Sequence, residues 1–475
     1  MLFDRRTFLI SSAALAGCAT QARAEDGAFR NLSDTLTPLD PEARWQAIAR
    51  VNVGALGPED RILHAAIAPG AEAEAAIARL GYAPSPYAVT HRNGLYRSAS
   101  ADAAAIARET ERLNADAARG VIAPDFVLDA AIPLVEAASR ASEGARGEAL
   151  AAQTQALRAL RSRASADPSA RSLPNGADYY RAALQFQLGA AVDPHAAHAD
   201  ALSRVAAVTA EAASLLAQIG VRHTSAAEGL RALIHAERRT SVEAWRAAAL
   251  EDMRAVLTRA PALIAPAFTA APPTAEIIAL PASEEAAGTR GRREGNAYIV
   301  DLGGLRTRWS LASVVYHETI PGHLLQAPFD SAAPALQRRY ASGYSEGWAT
   351  YAEMLADELG GFAHDPLTRL GYLHWMLFRL ARVVGDTGMH ALGWDRARTI
   401  AEMRAIQGES IAFVSIEEDV GRMAAQPGAA AAQGLAALHI ADARTRATSL
   451  PAFHDAVLRR GPIAPGAMAQ AIATT

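Results

Sequence analysis

Between about residues 40 and 270 the chain keeps one texture: alanine and arginine, with larger apolar residues at every third or fourth position. "PEARWQAIARVNV", "AEAEAAIARLGY", "ADAAAIARETERLNADAARG" and "RGEALAAQTQALRALRSRA" all read this way. Alanine is the best helix former, and the spacing of the larger residues repeats with a helical period, so this half is expected to be mostly helical. "TSVEAWRAAALEDMRAVLTRA" adds a start signal, with Thr240 or Ser241 as cap and Glu243 in the first turn. The runs share no period that can be phased, so a solenoid is not expected. The texture breaks at "PAFTAAPPTAEIIALPASEEAAGTRGRREGNAYIVDLGGL". There, "AEIIALP" and "NAYIVDL" predict a small antiparallel hairpin or a pair of edge strands. The intervening "GTRGRREG" reads as a solvated turn rather than an anion site. Helical runs resume in "RWSLASVVYHET", "GYSEGWATYAEMLADELG" and "DPLTRLGYLHWMLFRLARVVGD". No linker separates two units, so the expectation is a mainly α fold: one large helical domain over residues 25–475, with a cleft and a small antiparallel β hairpin near it.

The composition narrows the function. A net charge of -4 carries no basic footprint, which argues against a nucleic-acid partner. The 46 basic residues are all arginine, and genomic base composition explains this together with the abundance of alanine. The single cysteine, Cys18, allows neither an internal disulfide nor a cysteine zinc site. It sits in "DRRTFLISSAALAGCATQARAED", where Arg5 and Arg6 precede a short apolar run and small residues follow. Residues 1–24 therefore read as an export signal of twin-arginine type. The apolar run falls well short of the ~20 residues that span a membrane. "LAGC" resembles a lipobox, which would make Cys18 a lipid-anchored first residue; cleavage after "ARA" would instead leave Glu25 first. Either way the mature protein is expected outside the cytoplasm, periplasmic or lipid-anchored at the cell envelope, with no transmembrane segment. The oligomeric state is not indicated.

The chemistry is concentrated in "VVYHETIPGHLLQ", Val314 to Gln326. In a zinc-binding His-Glu-x-x-His helix the two histidines are four residues apart and about 40° apart around the axis. His317 and His323 are six apart, which a regular helix turns to about 240°. Pro321 cannot donate to the carbonyl of His317, and Gly322 can take a backbone path closed to other residues. Together they predict a two-residue bulge that returns His323 to the side of His317, with Glu318 beside the metal as general base. A zinc hydrolase needs a third protein ligand. Glu346 in "GYSEGWATYAE" is the best candidate, and Glu353, seven residues on, is placed either to orient a ligand imidazole or as a solvated carboxylate. On spacing alone, two ordinary helix-end histidines remain the simpler reading.

These blocks resemble a bacterial family designated domain of unknown function 885. Its hallmarks are His-Glu-x-x-Pro-Gly-His-His-x-Gln and Gly-Tyr-x-Glu-Gly-Trp-Ala-x-Tyr-x-Glu. His317, Glu318, Pro321, Gly322, His323 and Gln326 match the first; Gly343, Tyr344, Glu346, Gly347, Trp348, Ala349, Tyr351 and Glu353 match the second. The resemblance covers roughly residues 40 to 450, and the family is similar to helical zinc peptidases akin to thermostable carboxypeptidases. It implies a zincin-like fold, zinc held by His317, His323 and Glu346, Glu318 as base, and Asp386 and His390 near the cleft. His390 or Arg422 would support the oxyanion, and the substrate would be a peptide. The chain departs from the pattern at Leu324, and at Met423, Ala429 and Gln433, where the family has tyrosine, glutamine and tyrosine.

Two other functions stay open. "GYSEG" fits a Gly-x-Ser-x-Gly nucleophile elbow around Ser345, which would need a buried strand before it; "APALQRRYAS" is no such strand, and Ser345 also reads as a helix N-cap. Alternatively, the protein is a non-catalytic exported binding protein with a decayed metal site. Retention of Glu318 speaks against this, because a structural site needs no general base.

Overall fold

The longest apolar stretch of the second half, "DPLTRLGYLHWMLFRLARVVGDTGMH", forms the helix Pro366–His390 at the centre of the molecule. From Leu370 to His390 every residue is buried except Arg379 and Arg382. A helix apolar on nearly all sides must be surrounded, and it packs against helices Pro194–Gln218, Arg396–Gln407 and Ala429–Arg444. In the computed structural model, residues 27–237, 242–303, 307–412 and 414–474 are described. The export signal, Cys18 and the expected cap at Thr240 or Ser241 lie outside them. The described chain is mainly helical, with one three-stranded sheet, as the alanine-rich texture predicts. Among the described residues, no helix is long and apolar enough to cross a membrane.

The sheet is made of β1 (Glu276–Ala279), β2 (Arg292–Glu294) and β3 (Ala297–Val300), in the order β1-β3-β2. The two runs legible in the sequence, β1 and β3, pair with each other in parallel. The antiparallel hairpin is formed instead by β3 and the short β2, which lies within the "GTRGRREG" loop. A parallel pair needs a crossover, here supplied by the short helix Ala282–Ala286. β3 is buried along its whole length and delivers Tyr298 to the wall of the cavity described below.

The helix Gly343–Glu358 packs along Ala429–Arg444 at very short range. A Cβ placed on Gly347 would stand 2.5 Å from the Ala436 Cβ, and one on Gly343 would stand 2.9 Å from the Ala432 carbonyl carbon. The spacing Gly343/Gly347 against Ala432/Ala436 is thus a seam of small residues that brings the two backbones together. Around it a second apolar cluster gathers Tyr344, Trp348, Tyr351 and Phe453.

Candidate metal centre

The motif does not form one bulged helix. It forms two helices, Leu311–Glu318 and His323–Ala332, with a full break at Thr319–Gly322. Thr319 closes the first helix by donating from its backbone N–H to the Val315 carbonyl at 2.9 Å. The Ile320–Pro321 peptide is cis. Leu324 N–H then reaches back to the Thr319 carbonyl at 3.0 Å. Gly322 takes φ -75° and ψ -132°, outside the helical and extended regions. What it supplies is space: a Cβ there would lie 2.0 Å from the His317 carbonyl oxygen. The outcome expected of the Pro-Gly pair is nevertheless reached. The imidazoles of His317 and His323 stand edge to face, with centroids 4.9 Å apart.

Glu346 completes the group from the first turn of Gly343–Glu358. Its carboxylate oxygens lie 3.4 Å from His317 Nε2 and 3.6 Å from His323 Nε2. One ligand atom from each of the three residues falls within 4.8 Å of the others. The outer nitrogens are pinned. His317 Nδ1 is 2.8 Å from Glu353 Oε1. His323 Nδ1 is 3.3 Å from Ser345 Oγ, which donates onward to Gln326 Oε1 at 3.3 Å. With Nδ1 of each ring engaged, and Arg379 Nη2 a further 2.9 Å neighbour of His317 Nδ1, both Nε2 atoms face the common centre. His323 Nε2 is buried with no hydrogen-bond partner, an omission that a buried polar atom ordinarily does not tolerate. The electrostatics point the same way. Burial and Arg379 push His317 down, but hydrogen bonds to Glu346 and Glu353 outweigh them and raise it to about 9. Burial would raise Glu346, yet the close approach of the two imidazoles holds it well below the usual carboxylate range. His323 is lowered, chiefly by burial. Two imidazole nitrogens, one carboxylate, an orphaned buried acceptor and a field that favours a cation fit a divalent metal.

Glu353 is buried, with 0 % exposure. It accepts from Arg379 at 2.5 Å and from Ser313, so it orients His317 rather than meeting solvent. Glu318 opens onto a cavity of about 330 Å³ that His317 and Glu346 also line. Arg293 of β2 pairs with its carboxylate, so the loop read as a solvated turn reaches the site. The remaining side chains of the second motif hold its helix in place. Tyr344 Oη donates to the Val457 carbonyl at 2.9 Å, Trp348 Nε1 to the Pro321 carbonyl at 2.9 Å, and Tyr351 Oη meets His454 Nε2 at 2.8 Å.

Other expected residues fall elsewhere. His390 does not line the cavity. It is fully buried, its Nδ1 accepting from Ala170 N–H at 3.0 Å and its Nε2 donating to the Met423 carbonyl at 3.1 Å. Asp386 is likewise buried and accepts from Tyr180 Oη at 2.8 Å and Gly428 N–H at 3.1 Å. Arg422 does line the cavity, from the last turn of helix Ile416–Ala425. Of the departures from the hallmark, Met423 is packed in the core and only Gln433 reaches the cavity. Ser345 lies inside a helix preceded by the helix Ala335–Arg339, so no strand-to-helix elbow forms. The residue at that helix's N-cap is Ser342.

Sequence reading missed Arg379, Arg382, Arg293 and Arg92. The first two carried a signal: two cations three residues apart within an otherwise apolar run share one face of the helix.

Two solved structures share the fold. A candidate lipoprotein from Colwellia psychrerythraea superposes with a TM-score of 0.77 at 22% identity, covering 94% of this chain and 90% of that one. A candidate lipoprotein of unknown function from Shewanella oneidensis gives a TM-score of 0.69 at 17% identity, covering 99% and 98%. No curated protein matches the chain. Residues 71–472 match the family described as bacterial protein of unknown function, DUF885, and with both hallmark blocks assembled into one site the chain belongs to that family.

Proposed function

We propose that the protein is an exported, zinc-dependent peptidase in which His317, His323 and Glu346 hold the metal and Glu318 is the general base. The observation that carries this reading is the convergence of His317 Nε2, His323 Nε2 and the Glu346 carboxylate within 4.8 Å, beside a cavity onto which Glu318 opens. Two imidazoles and one carboxylate suit zinc. When bound, the metal supplies Lewis acidity, polarising a substrate carbonyl and making water acidic enough to attack it. Glu318 takes the proton of that water and passes it to the leaving amine. Arg293 fixes the direction in which the carboxylate of Glu318 points, and Glu353 does the same for the His317 ring. The cavity has room for a peptide segment and not for a folded chain. The export signal in the sequence, and two fold neighbours described as candidate lipoproteins, support a location at the cell envelope.

The test combines metal analysis with kinetics. Purified protein is expected to carry about one zinc per chain by elemental analysis. Glu318→Gln keeps the metal and loses a factor of about 100 or more in peptide hydrolysis. His323→Ala loses the metal itself. A Glu318→Gln protein as active as the wild type would sink the assignment of the base, and a protein that binds no divalent metal would sink the whole reading.

A further inference from the structure

Four guanidinium groups face the cavity: Arg92, Arg379, Arg382 and Arg422. Two are satisfied within the protein. Arg379 pairs with Glu353 at 2.5 Å. Arg382 pairs with Asp419 at 3.1 Å and donates to Gln433 Oε1 at 2.8 Å. The nearby acidic groups are engaged as well: Glu318 with Arg293, Glu346 between the two imidazoles, and Glu418 in a capping box with Ser415. Among the described residues, the guanidinium groups of Arg92 and Arg422 have neither a hydrogen bond nor an ion pair. Arg92 feels the positive charge of Arg422, Arg97 and Arg382, opposed by Asp419, and Arg422 feels Asp419 and Glu418 in its favour against Arg382 and Arg290. Arg422 is half-buried, and Arg92 is exposed at the rim. A half-buried guanidinium that gains no direct bond gives up hydration without full return.

Both arginines are nevertheless held in place. Arg92 sits on a loop braced from within. Its own N–H bonds Thr90 Oγ1 at 3.0 Å, Asn93 Nδ2 donates to the Tyr87 and Ala88 carbonyls at 2.8 and 3.0 Å, and Tyr96 Oη donates to the Thr90 carbonyl at 3.0 Å. The loop rests on the arginine-bearing helix, where His91 lies 3.9 Å from the position of a Cβ on Gly421. That helix, Ile416–Ala425, is fixed at its start by the Ser415–Glu418 capping box. Near its end it is fixed by His390, which donates to the Met423 carbonyl next to Arg422. Two guanidinium groups carried on braced backbone and, among the described residues, without hydrogen-bonded partners line the same cavity as the candidate metal centre and are suited to a planar anion.

We propose that Arg92 and Arg422 form a carboxylate-binding subsite that selects peptide substrates bearing a free carboxylate close to the scissile bond. The proposal rests on the peptidase reading for the word substrate, but the subsite itself does not require turnover. The carboxylate has two sources, the C-terminus of a peptide or an acidic side chain.

The test is calorimetric binding to the full-length, metal-loaded Glu318→Gln protein, which leaves the ligand intact. Three probes separate the sources: N-acetyl-alanyl-alanine, its C-terminal amide, and N-acetyl-alanyl-glutamate with both α-termini blocked. A charge-assisted pair predicts that at least one carboxylate probe binds about tenfold or more tighter than the neutral amide. Preference for the first probe assigns a peptide C-terminus, and preference for the third assigns an acidic side chain. Arg92→Met and Arg422→Met, introduced separately, are each expected to bring the carboxylate and amide affinities to within about twofold. Neither side chain makes a bond in the fold, and circular dichroism of each variant checks this. A carboxylate held by the metal alone would keep its preference in both variants, and that outcome overturns the proposal. So does equal binding of all three probes, or binding of none. If the preference exists and the variants erase it while wild-type protein hydrolyses no peptide, the subsite stands and the peptidase reading falls. If peptides are hydrolysed with no carboxylate preference, the reverse holds.

Discussion

Glu353 is fully buried, yet three groups converge on its carboxylate: the His317 ring, Arg379 and Ser313. A buried carboxylate is stable only when its oxygens are saturated with donors, and here the same saturation fixes the ring that presents Nε2 to the centre. Glu353→Gln keeps the shape but replaces one acceptor oxygen with an N–H₂ group facing donors, and it leaves Arg379 without a counter-charge. Zinc affinity is therefore expected to fall about 10- to 100-fold, as measured by competition with a chromophoric chelator, whereas Glu318→Gln should leave that affinity unchanged. The meeting of His317 and His323 could be anticipated from the sequence because the break between the histidines is local chemistry, written in Pro321 and Gly322. Arg92 could not. It lies more than 200 residues upstream in a chain whose every basic residue outside histidine is arginine, and only tertiary packing separates it from the rest. His390 failed in the opposite direction: a histidine at a helix end carries no local mark of whether its nitrogens will face a cleft or two backbone groups.

The helix Gly343–Glu358 shows why placing one ligand demands a whole surface. Glu346 can reach the two imidazoles only if its helix sits close against Ala429–Arg444, and Gly343 and Gly347 permit that approach. Gly347→Ala places a methyl group 2.5 Å from Ala436 Cβ. The gain in helix propensity, about 1 kcal/mol, is outweighed by overpacking of about 1–3 kcal/mol. Chemical denaturation is expected to show net destabilisation, with weakened zinc binding because Glu346 moves with its helix. Gly466→Ala is the control. It too lies in a helix, but a Cβ there meets nothing within 4 Å, so that variant should be neutral or slightly more stable. At this scale the sequence conveyed that the segment is a helix, through its period, but not how near it lies to its neighbour. The sheet follows the same logic. The two strands were visible as β-rich runs, but their parallel pairing depends on a crossover and on β2, three residues of arginine and glutamate with no apolar alternation.

Across the whole molecule, the buried histidines His374, His390 and His454, outside the candidate metal centre, tie distant parts of the chain together in their neutral form. His374 Nε2 donates to the Gln407 carbonyl at 2.9 Å, His390 bridges Ala170 and Met423, and His454 donates from Nδ1 to the Ala267 carbonyl at 2.7 Å while its Nε2 accepts from Tyr351. In His390 and His454 one nitrogen must donate and the other accept, so a second proton breaks a bond as well as burying a charge. Burial accordingly lowers all three to about 4. Their unfolded value is about 6.5, so between pH 6.5 and 4 the unfolded chain binds more protons and stability falls as the pH is lowered. Buried carboxyls oppose this. Burial raises Asp386 to about 6 and Asp330 to about 7, and groups raised in this way add stability as the pH drops towards their unfolded value. His91 is likewise lowered to about 4, chiefly by burial, while burial also raises Glu109 and Asp357; the lowered histidines outnumber the raised carboxyls, so stability falls on acidification near pH 5. His64, His198 and His439, also lowered chiefly by burial, deepen the fall. Urea midpoints measured from pH 7 to 4.5 should therefore decline steadily. His454→Gln, which can still donate to Ala267 or accept from Tyr351 but cannot titrate, should be less stable at pH 7 yet lose less on acidification, its slope shallower by up to ~1.4 kcal/mol per pH unit. An unchanged slope in that variant would mean that His454 is not a neutral group in the folded protein, and that the link from the helix Leu450–Leu458 to the helix carrying Glu346 is not the proton-sensitive contact described.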